Sequence, residues 1–379
     1  MSRPVLLPGI AALWRGPRTL QLGLDPQRAV VLELSNPATA RLLPLLDGAR
    51  TESAVLAEAS RRGVDEADAR ALLDTLRSQG LVVAAHALLP SSMPERMRGR
   101  LGGEATALAL RGAGAPGTPA TILRRRAGAG VKITGRGRLA LPIAVALAAA
   151  GVGHLDPRLD GRIEPGEPAT GGLTADYVRR PREQATIEAI GRVSPGTQVG
   201  PLRRADTSFV VQVGMTAPAR LHAMAYRQHR LAHLAVTMRD GTAVVGPLVP
   251  PRGAPCLNCL ELHRRDRDPA WPSLAAQLAT AYAGAPHATV LAPAGPPSPA
   301  RPGDGVSEAC PATTAFVAAG YAAAEVLRYL DGEAPHTLGV TVEISAAGVD
   351  RRRSWSAHPE CDCVGRRHRP TVRPALAHG

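Results

Sequence analysis

The sequence predicts an α/β protein in two parts: a Rossmann-like domain with a zinc knuckle, preceded by a small winged-helix-like α+β module. Three observations lead there. A strand-like run, Val131–Thr134, passes into Gly135-Arg-Gly137-Arg-Leu-Ala140 and then an Ala- and Leu-rich helix over 139–150, the strand, glycine turn and helix order that a dinucleotide-type fold requires. Two close cysteine pairs, Cys256/Cys259 and Cys361/Cys363, stand far apart in the chain. Two strand-like runs, three short helical segments and a closing strand fill residues 20–83.

Composition narrows the function. A chain of 379 residues suits two or three domains, and 45% apolar residues suffice for ordinary cores. Phenylalanine occurs only at 209 and 316, so the packing must rest on Ala, Leu and Val. Lys132 is the single lysine, a bias that fits a GC-rich, actinobacterial type of genome. The formal charge of +13 raises nucleic acid as a partner. The arginines are scattered (Arg61, Arg62, Arg124 to Arg126, Arg351 to Arg353) with no interleaved aromatics, so nucleic acid is set aside. An acidic peptide partner accounts for the charge equally well.

Residues 1–14 hold one arginine and a proline-broken apolar stretch, which is no secretory pattern. No run of 18 apolar residues exists, so no membrane span is expected. Five cysteines in a long chain of this kind do not form a disulfide framework, and a reducing cytoplasm is the expected compartment.

Taken in order, residues 1–88 form the small module. Strands are expected over 20–24 and 29–34, turning at Asp25-Pro26-Gln27. Helices follow over 37–46, over 51–62 with Thr51 as N-cap and Glu52 in the first turn, and over 64–79 between Gly63 and Gly80. Residues 81–83 close the module as a strand. Residues 89–126, rich in Pro, Gly and Arg, are read as a connector, 127–366 as the main domain, and 367–379 as a disordered tail.

In the main domain, Gly135 permits the tight turn, Gly137 lets the backbone approach a phosphate, and the helix start favours an anion. Alternatively, both glycines only close the turn. After the second strand, Asp160 is the candidate for a ribose or metal, with Asp156 a lesser one. Cys256, Cys259, Cys361 and Cys363 offer four soft ligands, the set a closed tetrahedral zinc site uses. A redox C-x-x-C or unrelated buried thiols are the alternatives, and the redox motif leaves the second pair unexplained. His358 is read as a local structural histidine. Cys310 opens a helix running to 330, where a thiol is either activated or merely a small cap residue.

The stretch LAAAGVGHL at 147–155 resembles the LAxAGVGxL of ThiF/MoeB-like adenylyltransferases. That resemblance implies an ATP site, and several of its parts are missing. Only Asp160 stands near the expected acidic pair. Arg179, Arg180 and Arg182 appear where a triphosphate lysine belongs, and no aspartate follows the strand 209–213; Asp206 precedes it. ATP binding is therefore doubtful.

The run from 20 to 83 resembles the PqqD-like peptide-recognition module of ribosomal-peptide maturation enzymes. In that family a leader peptide adds as a strand to a sheet edge. The resemblance puts Val30, Val31, Leu32 and Leu34 on that edge and Leu72 and Leu76 on the adjoining helix wall. The stretch around Cys256, with the closing HPECDC, resembles the ThiF-like partner proteins of thiazole/oxazole-modified peptide biosynthesis, a bacteriocin-type pathway.

The resemblance implies a leader-peptide-binding component, non-catalytic itself, that presents the precursor to a YcaO-type cyclodehydratase; a homodimer is left open. The competing expectations are an active adenylyltransferase and, from the winged module, a DNA-binding regulator. The acid-rich helix 64–79, with only Arg70 and Arg77, argues against the last.

Overall fold

The computed structural model describes residues 2–112, 116–214, 217–283, 308–346 and 348–363. The chain divides into two compact units, 1–126 and 127–379. The tail read as disordered, 367–379, lies outside the described residues.

The first unit begins with strands β1 (Pro4–Leu6), β2 (Ala12–Trp14), β3 (Thr19–Leu22) and β4 (Val30–Glu33). A 3-10 segment, Pro37–Leu45, leads to α1 (Glu52–Arg61) and α2 (Glu66–Ser78), then β5 (Val82–Ala84) and α3 (Ala85–Leu88). Thr51 caps α1 by accepting the Ala54 N–H, as expected of it. The first expected helix winds as 3-10 around Pro44, which cannot donate to an α-helical ladder.

Strands β1 and β2 escaped the sequence reading. They are three residues each, too short to show alternation. β1 pairs antiparallel with β5, and β2-β3-β4 form an antiparallel sheet with β3 central. Leu20, Leu22, Leu42, Val55, Leu73 and Leu76 fill the core beneath. Residues 89–126, read as a connector, carry α4 (Glu95–Ala109) and α5 (Pro119–Gly128). Leu101, Leu108, Ile122 and Leu123 from these helices are buried together with Leu7 and Leu88.

The second unit runs β6 (Gly130–Gly135), α6 (Ala140–Ala149), β7 (His154–Leu159), α7 (Pro168–Gly171), α8 (Arg182–Val193), β8 (Gln198–Val199), β9 (Phe209–Val213) and α9 (Ala219–His229). It continues β10 (His233–Arg239), β11 (Thr242–Val249), α10 (Leu257–Arg267), α11 (Trp271–Ala283), α12 (Ala312–Asp331), β12 (Val340–Ser345) and β13 (Gly348–Ser354). These strands form one eight-stranded sheet in the order β13-β12-β11-β10-β9-β6-β7-β8. From β8 to β10 neighbours are parallel; β11, β12 and β13 extend the sheet antiparallel.

Parallel strands are covered on both faces, so their side chains alternate between two cores. Val131, Ile133, Val211 and Val213 join α6 and α12 on one face. Val210 and Ala235 join α9 and the start of α10 on the other. The absence of large aromatics is met by alanine: Ala315, Ala318, Ala319, Ala322 and Ala323 let α12 lie close against its neighbours.

Leu147 of α6 is completely buried in that core. Leu147→Ala is expected to destabilise the second unit by about 2–5 kcal/mol, through lost transfer energy plus the cavity left. Urea unfolding followed by near-ultraviolet signals from this unit checks it.

Candidate functional site

Three places in the structure carry the predicted residues, and each is built from local backbone. The first is the cysteine cluster. Cys256 precedes α10 and Cys259 lies in its first turn, brought round by the Cys259 N–H bond to the Cys256 carbonyl (3.0 Å). Cys361 and Cys363 arrive from beyond β13, and the Cys361 N–H is held by the His358 carbonyl (2.9 Å). All four sulfurs lie within 4.8 Å of one another, at 3.9 Å for Cys256–Cys259, 3.6 Å for Cys256–Cys361 and 3.3 Å for Cys259–Cys363.

Metal–thiolate bonds of about 2.3 Å in a tetrahedron put sulfurs about 3.8 Å apart, so the donor set fits a closed tetrahedral site. Its surroundings are organised. Asn258 points its amide N–H at Cys361 Sγ (3.4 Å). His358 is not a ligand: its Nε2 meets Asp266 (2.8 Å) and its Nδ1 accepts the Glu360 N–H (3.1 Å). Hydrogen bonding from the Cys256 thiol pulls Cys259 far below the usual thiol range, while the same contact pushes Cys256 up. Without a cation one thiolate is favoured at the expense of its neighbours. A bound metal removes that competition by holding every sulfur deprotonated.

The second place is the crevice at the C-terminal edge of β6, β7 and β9. Gly135 and Gly137 both adopt positive φ (108° and 127°), as the turn requires. A Cβ on Gly135 would fall 2.1 Å from the Val213 carbonyl oxygen. A Cβ on Gly137 would fall 3.1 Å from a carboxylate oxygen of Glu308. That carboxylate lies against the turn and accepts the backbone N–H of Arg138 (3.0 Å), a group of the kind that binds anions at a helix start. The Arg138 guanidinium ties the arrangement down by donating to the carbonyls of Cys310 (2.8 Å) and Gly166 (2.7 Å). Burial pushes the Glu308 carboxyl above its ordinary range against the lowering by the Arg138 amide, and Glu167 adds to the rise. Glu164 is raised likewise, by burial and then Glu167.

The expected partners in this crevice have other work. Asp160 directly follows β7 with an exposed side chain, and its carbonyl accepts from Arg182. Arg182 is buried and ion-paired with buried Glu167 (2.5 Å). Arg180 pairs with Glu188 and stacks on Tyr177. Asp156, the lesser candidate, is structural: it is buried, pairs with Arg158 (2.8 Å) and Lys132 (3.4 Å), and accepts the Leu202 N–H. Asp206 sits in a 3-10 turn before β9. Glu308 was invisible to sequence reasoning because 170 residues separate it from Arg138 and no spacing rule joins them. Cys310 is half-buried, and burial raises its thiol; no helix-start activation appears.

The third place is the edge of the first unit's sheet. Among the described residues β4 pairs only with β3. The Leu34 N–H bonds to the Arg18 carbonyl (2.8 Å), so by alternation the N–H groups of Val30 and Leu32 also face β3. The outward backbone groups are therefore those of Val31 and Glu33. Val31 is exposed, whereas Val30 and Leu32 pack against the core and Leu34 is buried. Leu72 and Leu76, expected on a pocket wall, are 5% and 0% exposed and serve as core. Arg70 and Arg77 of α2 are ion-paired with Glu66 and Glu52. No helix among the described residues is long and apolar enough to cross a membrane.

No protein-family profile matches the chain, and no curated protein matches it. Solved structures do. E. coli MccB with MccA-N7isoASN is 14% identical at TM-score 0.60, covering 96% of this chain and 100% of that one. E. coli MccB with ATP is 14% identical at TM-score 0.61, with 96% and 99% covered. PaaA is 14% identical at TM-score 0.59, with 92% and 99% covered. At such identities the likeness establishes the fold: this chain has the ThiF/MoeB-type Rossmann-like architecture.

Purified protein is expected to contain one metal ion per chain at the four cysteines. Cys361→Ser should lose it and lower Tm by about 10 °C or more, since metal-binding energy here is folding energy. Elemental analysis and a melting curve measure both; a stably folded wild type without metal contradicts it.

Proposed function

We propose that this protein is a ThiF-fold peptide-capturing component of ribosomal-peptide maturation, one that holds a precursor leader and presents it to a YcaO-type cyclodehydratase without activating ATP itself. The observation that carries the reading is the Glu308 carboxylate on the Arg138 amide. A triphosphate entering that turn would have to displace a built-in anion and then face Glu164 and Glu167. Coulomb repulsion between anions in a poorly solvated crevice is large, and the arginines there are already engaged, Arg138 by the Cys310 and Gly166 carbonyls and Arg182 by Glu167. The solved structures of similar fold include MccB with its peptide MccA and MccB with ATP, so peptide handling and nucleotide binding are both compatible with the architecture. This chain's side chains favour the first.

The leader's place in this reading is the open edge of β4. Backbone pairing there supplies sequence-tolerant affinity through Val31 and Glu33, and the exposed Val31 side chain offers an apolar contact. The charge of +13 favours an acidic leader and makes capture weaken with salt. The metal is taken to be zinc, the ion whose closed tetrahedral sites use four thiolates, with a structural role because no ligand position stays open. The cytoplasm, where such thiols stay reduced, is the compartment this reading assigns.

Two expected outcomes follow from this reading. ATP–pyrophosphate exchange by the isolated protein with the precursor should stay at background; robust exchange would favour an active adenylyltransferase. Val31→Pro removes an outward donor and should weaken leader binding about tenfold in fluorescence polarisation with zinc content unchanged. Leu32→Pro would instead break the pairing with β3 and unfold the edge. Unchanged affinity in Val31→Pro would take the leader off this edge.

A further inference from the structure

Beside the cysteine cluster lies a cavity of about 240 Å³, lined by Cys256 and Cys363 together with Arg227, Arg230 and Arg252. None of its lining residues is acidic. Two segments supply the arginines. Arg227 belongs to the last turn of α9, and Arg230 caps that helix in the left-handed region (φ 53°). Arg252 follows Pro250-Pro251, directly after β11.

Arg227 does more than line the space. Its guanidinium donates to the carbonyl of Asp362, the residue between Cys361 and Cys363. Helix α9 therefore holds the closing cysteine turn directly, across 135 residues of sequence. The approach to that turn is held from α10, where Asp266 meets His358 and Arg265 pairs with Glu360. Cations in the last turn of a helix also offset its macrodipole, which accounts for basic residues on α9. That effect explains neither Arg252, which stands on another segment, nor a bond that leaves the helix for Asp362.

Charge supplies the reason. Four thiolates around one divalent cation keep a net charge of −2, and Cys256, Cys259 and Cys361 are buried. A buried net charge is costly unless opposite charge stands close. Arginines that share a cavity of this size with the sulfurs act on them across distances comparable to the Debye length of about 8 Å at physiological salt. We propose that Arg227 is a positioning residue of the metal site, fixing the Cys361–Cys363 turn through Asp362 and supplying, with Arg230 and Arg252, the positive charge that a four-thiolate centre requires. Outer partners of this kind are worth about ten- to a hundredfold in metal affinity. The proposal rests on the reading of the four cysteines as a metal site.

The full chain loaded with zinc is competed against a chromophoric chelator, and the chain loaded with cobalt(II) reports its thiolate-to-metal charge-transfer band. Arg227→Gln is expected to hold zinc about tenfold more weakly. It should also move the cobalt band to longer wavelength, because thiolates with less positive charge nearby give up electron density more easily. Loss of packing alone would leave the band of the bound fraction where it is. Arg227→Lys keeps the charge and a donor and should recover most of the affinity. Arg230→Gln combined with Arg252→Gln should move the band in the same direction with Asp362 still held. Arg220→Gln, in the first turn of α9, should match the wild type. A wild type that takes up no zinc overturns the metal reading and this proposal with it. With the wild type loaded, the proposal alone is overturned if Arg227→Gln keeps wild-type affinity or an unmoved band, or if Arg227→Lys or Arg220→Gln loses as much affinity as Arg227→Gln.

Discussion

Four sulfurs within 4.8 Å of one another are the constraint on which the second unit's architecture depends. They join the start of α10 to the chain beyond β13, segments about a hundred residues apart in sequence. Buried thiols at this spacing cannot all ionise without a cation, and neutral thiols would give only weak hydrogen bonds. A tetrahedral metal would resolve that conflict and tie both segments together. The His358 contact to Asp266 joins the segment beyond β13 to the outer turns of α10.

The crevice pairs a glycine turn with polar side chains that are already engaged. The glycine turn retains the positive φ angles and close packing that a phosphate-binding loop needs. The free amide at its tip is satisfied by Glu308, the arginines nearby are tied to Glu167 and Glu188, and Asp156 works as a strand-linking ion pair. Each of these contacts answers the local need for a satisfied buried polar group. Together they leave the amide of the turn already satisfied by the protein's own carboxylate.

Much of this was legible in the sequence because it rests on local chemistry. Val131–Thr134, the glycine pair and the Ala-rich helix declared the parallel core; Thr51 declared its helix start; the cysteine pairs declared their cluster. Short elements without periodicity were not legible. β1 and β2 are three residues long and are set by pairing, and β11 to β13 carry no motif that separates an antiparallel extension from loops. Glu308 was missed for another reason: its role comes from Arg138, distant in the chain. Leu72 and Leu76 erred the other way, since an apolar helix face reads alike whether it lines a pocket or a core, and burial decides for the core.

Backbone amide hydrogen exchange on the full chain, with the precursor leader and with ATP added separately, tests the central claim most directly. The account predicts that leader slows exchange at the Val31 and Glu33 amides, whose N–H groups face outward from β4, and that ATP changes nothing at residues 135–140. Protection of the glycine turn by ATP, with no protection of β4 by leader, would contradict it.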